Sequence, residues 1–114
     1  MAVATQQVKE RCITNCVDCV RAASRCVNEC VASEDAARMA ECVRLCLDCV
    51  DLCGACVTLL SRDSRFASRA CEACAEACEA CAAECGKYGD IGDVMPQCAD
   101  ACRRCAESCR EMAA

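Results

Sequence analysis

Four stretches of the chain repeat an apolar residue at intervals that alternate between three and four positions. Such intervals place the repeated residues on one face of an α-helix, and Glu, Asp, Arg and Asn fill the opposite faces. The pattern predicts helices over residues 5–31, 34–61, 64–87 and 93–112. Four amphipathic helices with short links predict an all-α fold, an antiparallel up-down-up-down four-helix bundle that forms one domain over residues 1–114.

The links between these stretches contain residues that suit helix starts. Ser33 is a candidate N-cap for the second helix, whose first turn then carries the acidic residues Glu34 and Asp35. Asp63 or Ser64 is a candidate N-cap for the third helix. We therefore expect the second and third helices to begin directly after these residues.

Cysteine occupies nearly every position of the repeated apolar face. The chain has 19 cysteines in 114 residues, well above the ~8–10 % that marks an unusual scaffold. Cys19 and Cys26 stand seven positions apart, with Ala23 where another cysteine would fit. The predicted core is therefore lined by thiols, and its candidate metal ligands are Cys12, Cys16, Cys19, Cys26, Cys30, Cys42, Cys46, Cys49, Cys53, Cys56, Cys71, Cys74, Cys78, Cys81, Cys85, Cys98, Cys102, Cys105 and Cys109.

The first two predicted helices carry more apolar residues than one core face needs. In the last two helices the corresponding positions include Glu79 and Arg110. We expect part of the surplus to pack between helices and part to form a self-association surface. The surplus comprises Ile13, Val17, Val20, Val27 and Val31 in the first helix and Val43, Leu45, Leu47, Val50, Leu52, Val57 and Leu59 in the second.

Composition excludes several functional classes. The chain has no histidine, which excludes Cys2His2 zinc fingers, Cys-His nucleophile pairs and Ser-His-Asp triads, and we expect no enzymatic activity. The net charge is −5. The largest basic cluster, Arg103, Arg104 and Arg110, is interspersed with Glu107 and Glu111, which indicates a solvated helix face and no nucleic-acid partner.

The start of the chain, MAVATQQVKERC, lacks the basic segment and apolar run of a signal peptide. No stretch approaches ~20 uninterrupted apolar residues, so we expect no membrane association and a cytoplasmic location. Cytosolic thiols are kept reduced, and abundant cysteine in that compartment indicates metal or redox chemistry rather than disulfides.

The choice of metal depends on charge and spacing. Each Zn²⁺ bound by four thiolates leaves a net charge of −2, and no Lys or Arg lies on a cysteine face to balance it. One Cu(I) per thiolate leaves no net charge, and thiolates select Cu(I). Two successive C-x-x-C steps, as in ferredoxin-type clusters, never occur. The pattern favours Cu(I), with a zinc–thiolate bundle, an iron–sulfur protein and a thiol-redox protein as alternatives.

The third and fourth groups read CEACAEACEACAAEC and CADACRRCAESCREMAA. Together with the first two groups they resemble the cytosolic branch of the bacterial copper-storage proteins, which are cysteine-rich four-helix bundles. The resemblance covers essentially the whole chain. It implies storage of many Cu(I) ions by thiolates inside the bundle, assembly as a homotetramer, and a copper donor or acceptor whose identity the sequence does not give.

The chain departs from this family in one respect. Members usually carry histidines near the start of the second helix and around the link before the fourth, where this chain reads EDAARMAEC and KYGDIGDVMPQC. In an up-down-up-down bundle both helix starts lie at the same end. Met39 and Met95 are therefore candidates for a mouth that admits copper, or else they close the end of the core.

Overall fold

The computed structural model describes residues 5–114 and contains four long α-helices, as predicted. The bundle measures 47 × 17 × 17 Å. Residues 1–4 lie outside the described part. They belong to the segment MAVATQQVKERC, from which we expect no signal peptide. Among the described helices, none has the length and apolar character needed to cross a bilayer. The helices are α1 (Gln6–Ala32), α2 (Ala40–Ser61), α3 (Ala67–Cys85) and α4 (Val94–Ala113), with a 3₁₀ turn at Gly86–Tyr88.

The four helices form a closed ring around one core. Consecutive helices pack against each other, and α1 also packs against α4. The diagonal pairs meet only through side chains, as shown by sulfur–sulfur distances of 3.9 Å between Cys19 and Cys78 and between Cys46 and Cys98. The antiparallel four-helix bundle predicted from the sequence is therefore confirmed.

Local signals explain the ends of α1. The hydroxyl of Thr5, the N-cap, accepts a hydrogen bond from the amide of Val8 at 3.1 Å, and this satisfies one of the free amides of the first turn. Ser33 ends the helix in an extended conformation, with ψ at 148°. Both ends of α1 fall within one residue of the predicted ones.

The predicted start of α2 is wrong. Ser33 does not cap this helix, because its hydroxyl accepts a 3.0 Å hydrogen bond from the backbone amide of Asp35 in a local turn. Further turns follow, including an Arg38 amide to Asp35 carbonyl bond of 2.9 Å, and α2 begins at Ala40. These turns bury Met39 completely at the end of the bundle, and its burial outweighs the local preference for helix.

The predicted N-caps of α3 are also wrong. Phe66 occupies the cap position, and the helix begins at Ala67. Asp63 has a left-handed φ of 52°, and its carboxylate accepts the Lys9 ammonium at 2.7 Å. The Ser64 hydroxyl accepts the amide of Phe66 at 3.1 Å. The side chains of Asp63 and Ser64 therefore bind groups outside α3 and do not cap its first turn.

The surplus apolar residues of α1 and α2 divide into two sets. Most are half-buried against the core, among them Val20 and Val50. Val17, Val31 and Leu47 are exposed over 43 %, 61 % and 49 % of their surface. The expectation of an outward-facing apolar surface on α1 and α2 is therefore confirmed for these three residues.

Candidate metal centre

All nineteen cysteines lie in the core, and each has 0 % of its surface exposed. Helical spacing brings them there, because steps of three and four residues keep the thiols of each helix on the face that meets the other three. The structure therefore brings every predicted candidate ligand into a single column of thiols along the bundle axis.

Neighbouring sulfurs are in contact but not bonded to each other. Their separations run from 3.2 Å, between Cys42 and Cys85, to 4.0 Å, between Cys105 and Cys109. A disulfide bond is about 2.05 Å long. All nineteen thiols are therefore free in this structure. Each pair of neighbouring sulfurs is close enough for one metal ion to bind both.

The thiols form groups of four that overlap along the core. Within each group the sulfurs lie within 4.8 Å of one another. One group holds Cys26, Cys42, Cys46 and Cys85, and the next shares Cys46 and Cys85 with it. Similar sharing links the groups at the opposite end. Separate four-thiolate sites would need separate sets of ligands, so this arrangement suits ions that share thiolates between adjacent positions.

The core offers nothing to balance negative charge. Among the described residues the only buried polar side chain outside the cysteines is Ser108, whose hydroxyl accepts a 2.6 Å hydrogen bond from the side-chain amide of Asn15. All described lysines and arginines lie at the surface. A column of ionised thiolates is therefore stable only when cations lie among them.

Burial opposes ionisation of these thiols, because a thiolate loses its hydration in the core. Loss of water and the neighbouring Cys42 raise the pKa of Cys30 to about 11. Contacts with the sulfurs of Cys105 and Cys109, together with burial, raise the pKa of Cys16 far above its ordinary value. A bound metal must displace these protons, so metal binding releases protons and weakens as the pH falls.

Two methionines adjoin the thiol column at one end. Met39 and Met95 are both fully buried, and the Met95 thioether lies 3.7 Å from the Cys26 sulfur. Cys26 belongs to a group of four thiols near this end. The sequence correctly places both methionines at the same end, and the structure adds the direct contact between a thioether and the thiol column.

The same end is closed by contacts between two turns that sequence reasoning missed. The Arg38 guanidinium donates to Asp90 at 3.1 Å and lies 5.2 Å from the centroid of the Tyr88 ring. The Tyr88 hydroxyl donates to Glu84 at 2.9 Å. Tyr88 is the only tyrosine in the chain, and that was the one available signal for these contacts. They link the turn before α2 to the segment between α3 and α4, at the end where both methionines are buried.

The sequence model of the copper storage protein (Csp) family matches residues 5–114. The chain belongs to this family. The resemblance noted from the cysteine groups is therefore confirmed. No curated relative matches the chain significantly.

Solved structures support the same assignment. The Cu(I)-bound copper storage protein BsCsp3 is 40 % identical, with a TM-score of 0.87 over 94 % of this chain and 99 % of that one. Apo copper storage protein 3 from Bacillus subtilis is 41 % identical, with a TM-score of 0.86 over 92 % and 98 %. A cytosolic copper storage protein from Streptomyces lividans with five coppers is 32 % identical, with a TM-score of 0.89 over 94 % and 92 %.

Proposed function

We propose that this protein is a cytosolic, non-enzymatic store of Cu(I), built as one domain over residues 1–114. All nineteen cysteines act as thiolate ligands inside the bundle. The observation that carries the proposal is the overlap of four-thiol groups in a core to which residues 5–114 contribute no buried cationic side chain. Family membership and relatives solved with Cu(I) or with five coppers support it.

Charge balance favours Cu(I) over Zn²⁺ in this core. A zinc ion with four thiolates leaves two negative charges, and burying unbalanced charge is costly. A monovalent ion for each thiolate leaves none. Soft thiolates also select Cu(I) over harder ions, and the adjoining thioethers of Met39 and Met95 suit the same ion. A zinc–thiolate bundle is therefore the weaker candidate.

Anaerobic titration of the reduced protein with Cu(I), against a competing chelator, tests this function. The end point is expected to lie far above four ions and to approach nineteen, one for each cysteine. The physical reason is that each added ion neutralises one thiolate. Saturation at about four or five ions, as discrete four-thiolate sites would require, would contradict the proposal.

Ala23 offers a way to add a ligand to the column. It is fully buried on α1, between Cys19 and Cys26, in the one gap of the cysteine pattern. The substitution Ala23→Cys is expected to raise the Cu(I) end point by about one ion, because it adds one soft ligand among existing ones. Overpacking is expected to destabilise the bundle by about 1–3 kcal/mol.

Metal analysis after anaerobic gel filtration measures this change. Ala23→Ser is the matched control, since its side chain is of similar size but offers no soft sulfur, and it should leave the end point unchanged. Equal copper contents in the two variants would show that position 23 does not adjoin the copper sites.

We also propose that the protein assembles as a homotetramer, with the exposed apolar residues of α1 and α2 at its subunit contacts. Val17, Val31 and Leu47 project from the two helices beside half-buried valines. Burying such residues between subunits contributes roughly 25 cal/mol per Å² of apolar area. The charged face of α3 and α4, where Arg110 and Glu79 form a 2.6 Å ion pair, has no comparable surplus.

Light scattering of the metal-free protein tests the assembly. The double variant Val17→Lys, Leu47→Lys is expected to be monomeric at micromolar concentration, because an unpaired ammonium is costly to bury. Its copper end point should match wild type, since neither residue is a ligand. Ala73→Lys, Ala80→Lys adds the same charge on exposed positions of α3 and should leave the assembly intact. A 12.1 kDa wild-type species would reject the assembly.

A further inference from the structure

A groove runs along the surface between α1 and α4 and carries a cluster of arginines. Its upper part, which lies farther from the end that holds Met39 and Met95, has a volume of about 220 Å³. Arg21, Arg25 and Arg104 line this part together with one acidic residue, Asp18. All three arginines are exposed. Positive charge is therefore concentrated in one groove of a protein whose net charge is −5.

These three arginines differ from most other basic residues of the chain. Arg103 is paired with Asp100 at 2.8 Å, and Arg110 with Glu79 at 2.6 Å. Within residues 5–114, Arg21, Arg25 and Arg104 form no such ion pair with a carboxylate. Their hydrogen-bonding groups are therefore free to bind an anion from solution.

The groove continues downward to the thioether that adjoins the thiol column. Arg25 and Gln97 line both its upper part and a lower part of about 310 Å³. Met95 forms part of the wall of the lower part, although its own surface is buried, and its sulfur lies 3.7 Å from that of Cys26. The groove thus leads from a cationic surface to a thioether that contacts a thiol of the core.

The lower part carries more negative than positive charge, because two carboxylates line it together with Arg25. Glu29 and Asp93 line it beside Met95. Negative charge in the lower part favours a copper cation. The arginines of the upper part favour the anionic groups of the molecule that delivers the copper. At the end of the bundle, the Arg38–Asp90 contact links the two turns, and Met39 and Met95 are fully buried.

We propose that this groove binds anionic thiolate complexes of Cu(I) and passes the ion to the core at Met95 and Cys26. The inference rests on the proposed storage function. The copper–sulfur bond to the carrier breaks, a bond to the Cys26 sulfur forms with the Met95 thioether as neighbouring ligand, and the Cys26 proton moves to the released carrier thiolate. Copper remains Cu(I), so no oxidant or reductant is needed.

Rates of Cu(I) transfer from two donors test the proposal. One donor is the Cu(I)–glutathione complex, which carries carboxylates and net negative charge. The other is the cationic tetrakis(acetonitrile)copper(I). The groove variant replaces Arg21, Arg25 and Arg104 with glutamine. The control variant replaces Arg62, Arg65 and Arg69 with glutamine. These three arginines are exposed at the opposite end of the bundle, and both variants lose the same charge.

Transfer from the glutathione complex to the groove variant is expected to be at least about tenfold slower than to wild type, with little change for the control variant. Added salt should slow the wild type and leave the groove variant nearly unaffected. Transfer from the cationic acetonitrile complex should be slowed in neither variant. A groove variant that matches wild type, or one slowed no more than the control variant, would overturn the proposal.

The end point of the same reactions separates this inference from the storage function. A high wild-type end point with no rate difference between the variants would reject the groove and leave storage intact. A wild-type end point of about four ions would reject storage, whatever the rates. Equal end points in all three proteins are expected, because none of the six arginines is a ligand.

Discussion

Reduced protein without any metal is expected to give a strongly helical far-UV circular dichroism spectrum and a cooperative thermal transition. The buried core contains alanines, Leu60 and protonated thiols, and a protonated thiol packs as a small apolar group. Half-buried valines and leucines on α1 and α2 add apolar area outside the column. The bundle therefore does not depend on copper for its core.

This behaviour differs from that of small zinc domains, which unfold when the metal is removed. The spectra of metal-free and Cu(I)-loaded protein are recorded on one preparation. Adding Cu(I) back to the metal-free sample is the control that shows the protein is intact. A coil spectrum that becomes helical only after copper is added would show that the ion, rather than the apolar core, drives folding.

Cu(I) loading is expected to raise the melting temperature by tens of degrees. A ligand at 1,000 times its Kd stabilises the folded state by about 4 kcal/mol per site. In a domain of this size class, 1 kcal/mol shifts the melting temperature by several degrees. Many sites act together here, because the folded core holds its sulfurs 3.2–4.0 Å apart and the unfolded chain does not.

Calorimetry of the metal-free and loaded protein measures this shift. A loaded sample treated with excess Cu(I) chelator is the control, and it should return to the metal-free melting temperature. An unchanged or lowered melting temperature on loading would mean that copper binds the unfolded thiols as well as the folded core, and that the column is not preorganised.

The thiol column could be predicted from the sequence because it depends only on helical periodicity. Cysteines at intervals of three and four residues share a face in any α-helix, whatever its neighbours. The gap at Ala23 fits the same rule, since Ala23 is buried in line with Cys19 and Cys26. The sequence also placed Met39 and Met95 at one end, because chain direction alternates in the bundle.

The start of α2 could not be predicted in this way. Ser33 followed by Glu34 and Asp35 suits a helix N-terminus and a local turn equally well. The contacts that accompany the turn are tertiary, and they include the pairing of Arg38 with Asp90 and the burial of Met39. Such contacts join segments that are distant in the chain and leave no local signal.

The arginine groove was hidden from the sequence for a similar reason. From its position in the sequence, Arg104 belongs with Arg103 and Arg110 to one solvated face. In the bundle the latter two pair with carboxylates, while Arg104 joins Arg21 and Arg25 of α1 in the groove. The relative rotation of α1 and α4 decides this grouping, and only the folded structure gives it.

Anomalous diffraction at the copper edge, from crystals of the Cu(I)-loaded protein, tests copper storage in the core most directly. The expected map shows a continuous file of copper peaks along the bundle axis, bonded to cysteine sulfurs from Cys12 and Cys109 at one end to Cys30 and Cys42 at the other. Peaks confined to surface carboxylates, or about four isolated tetrahedral sites, would contradict it.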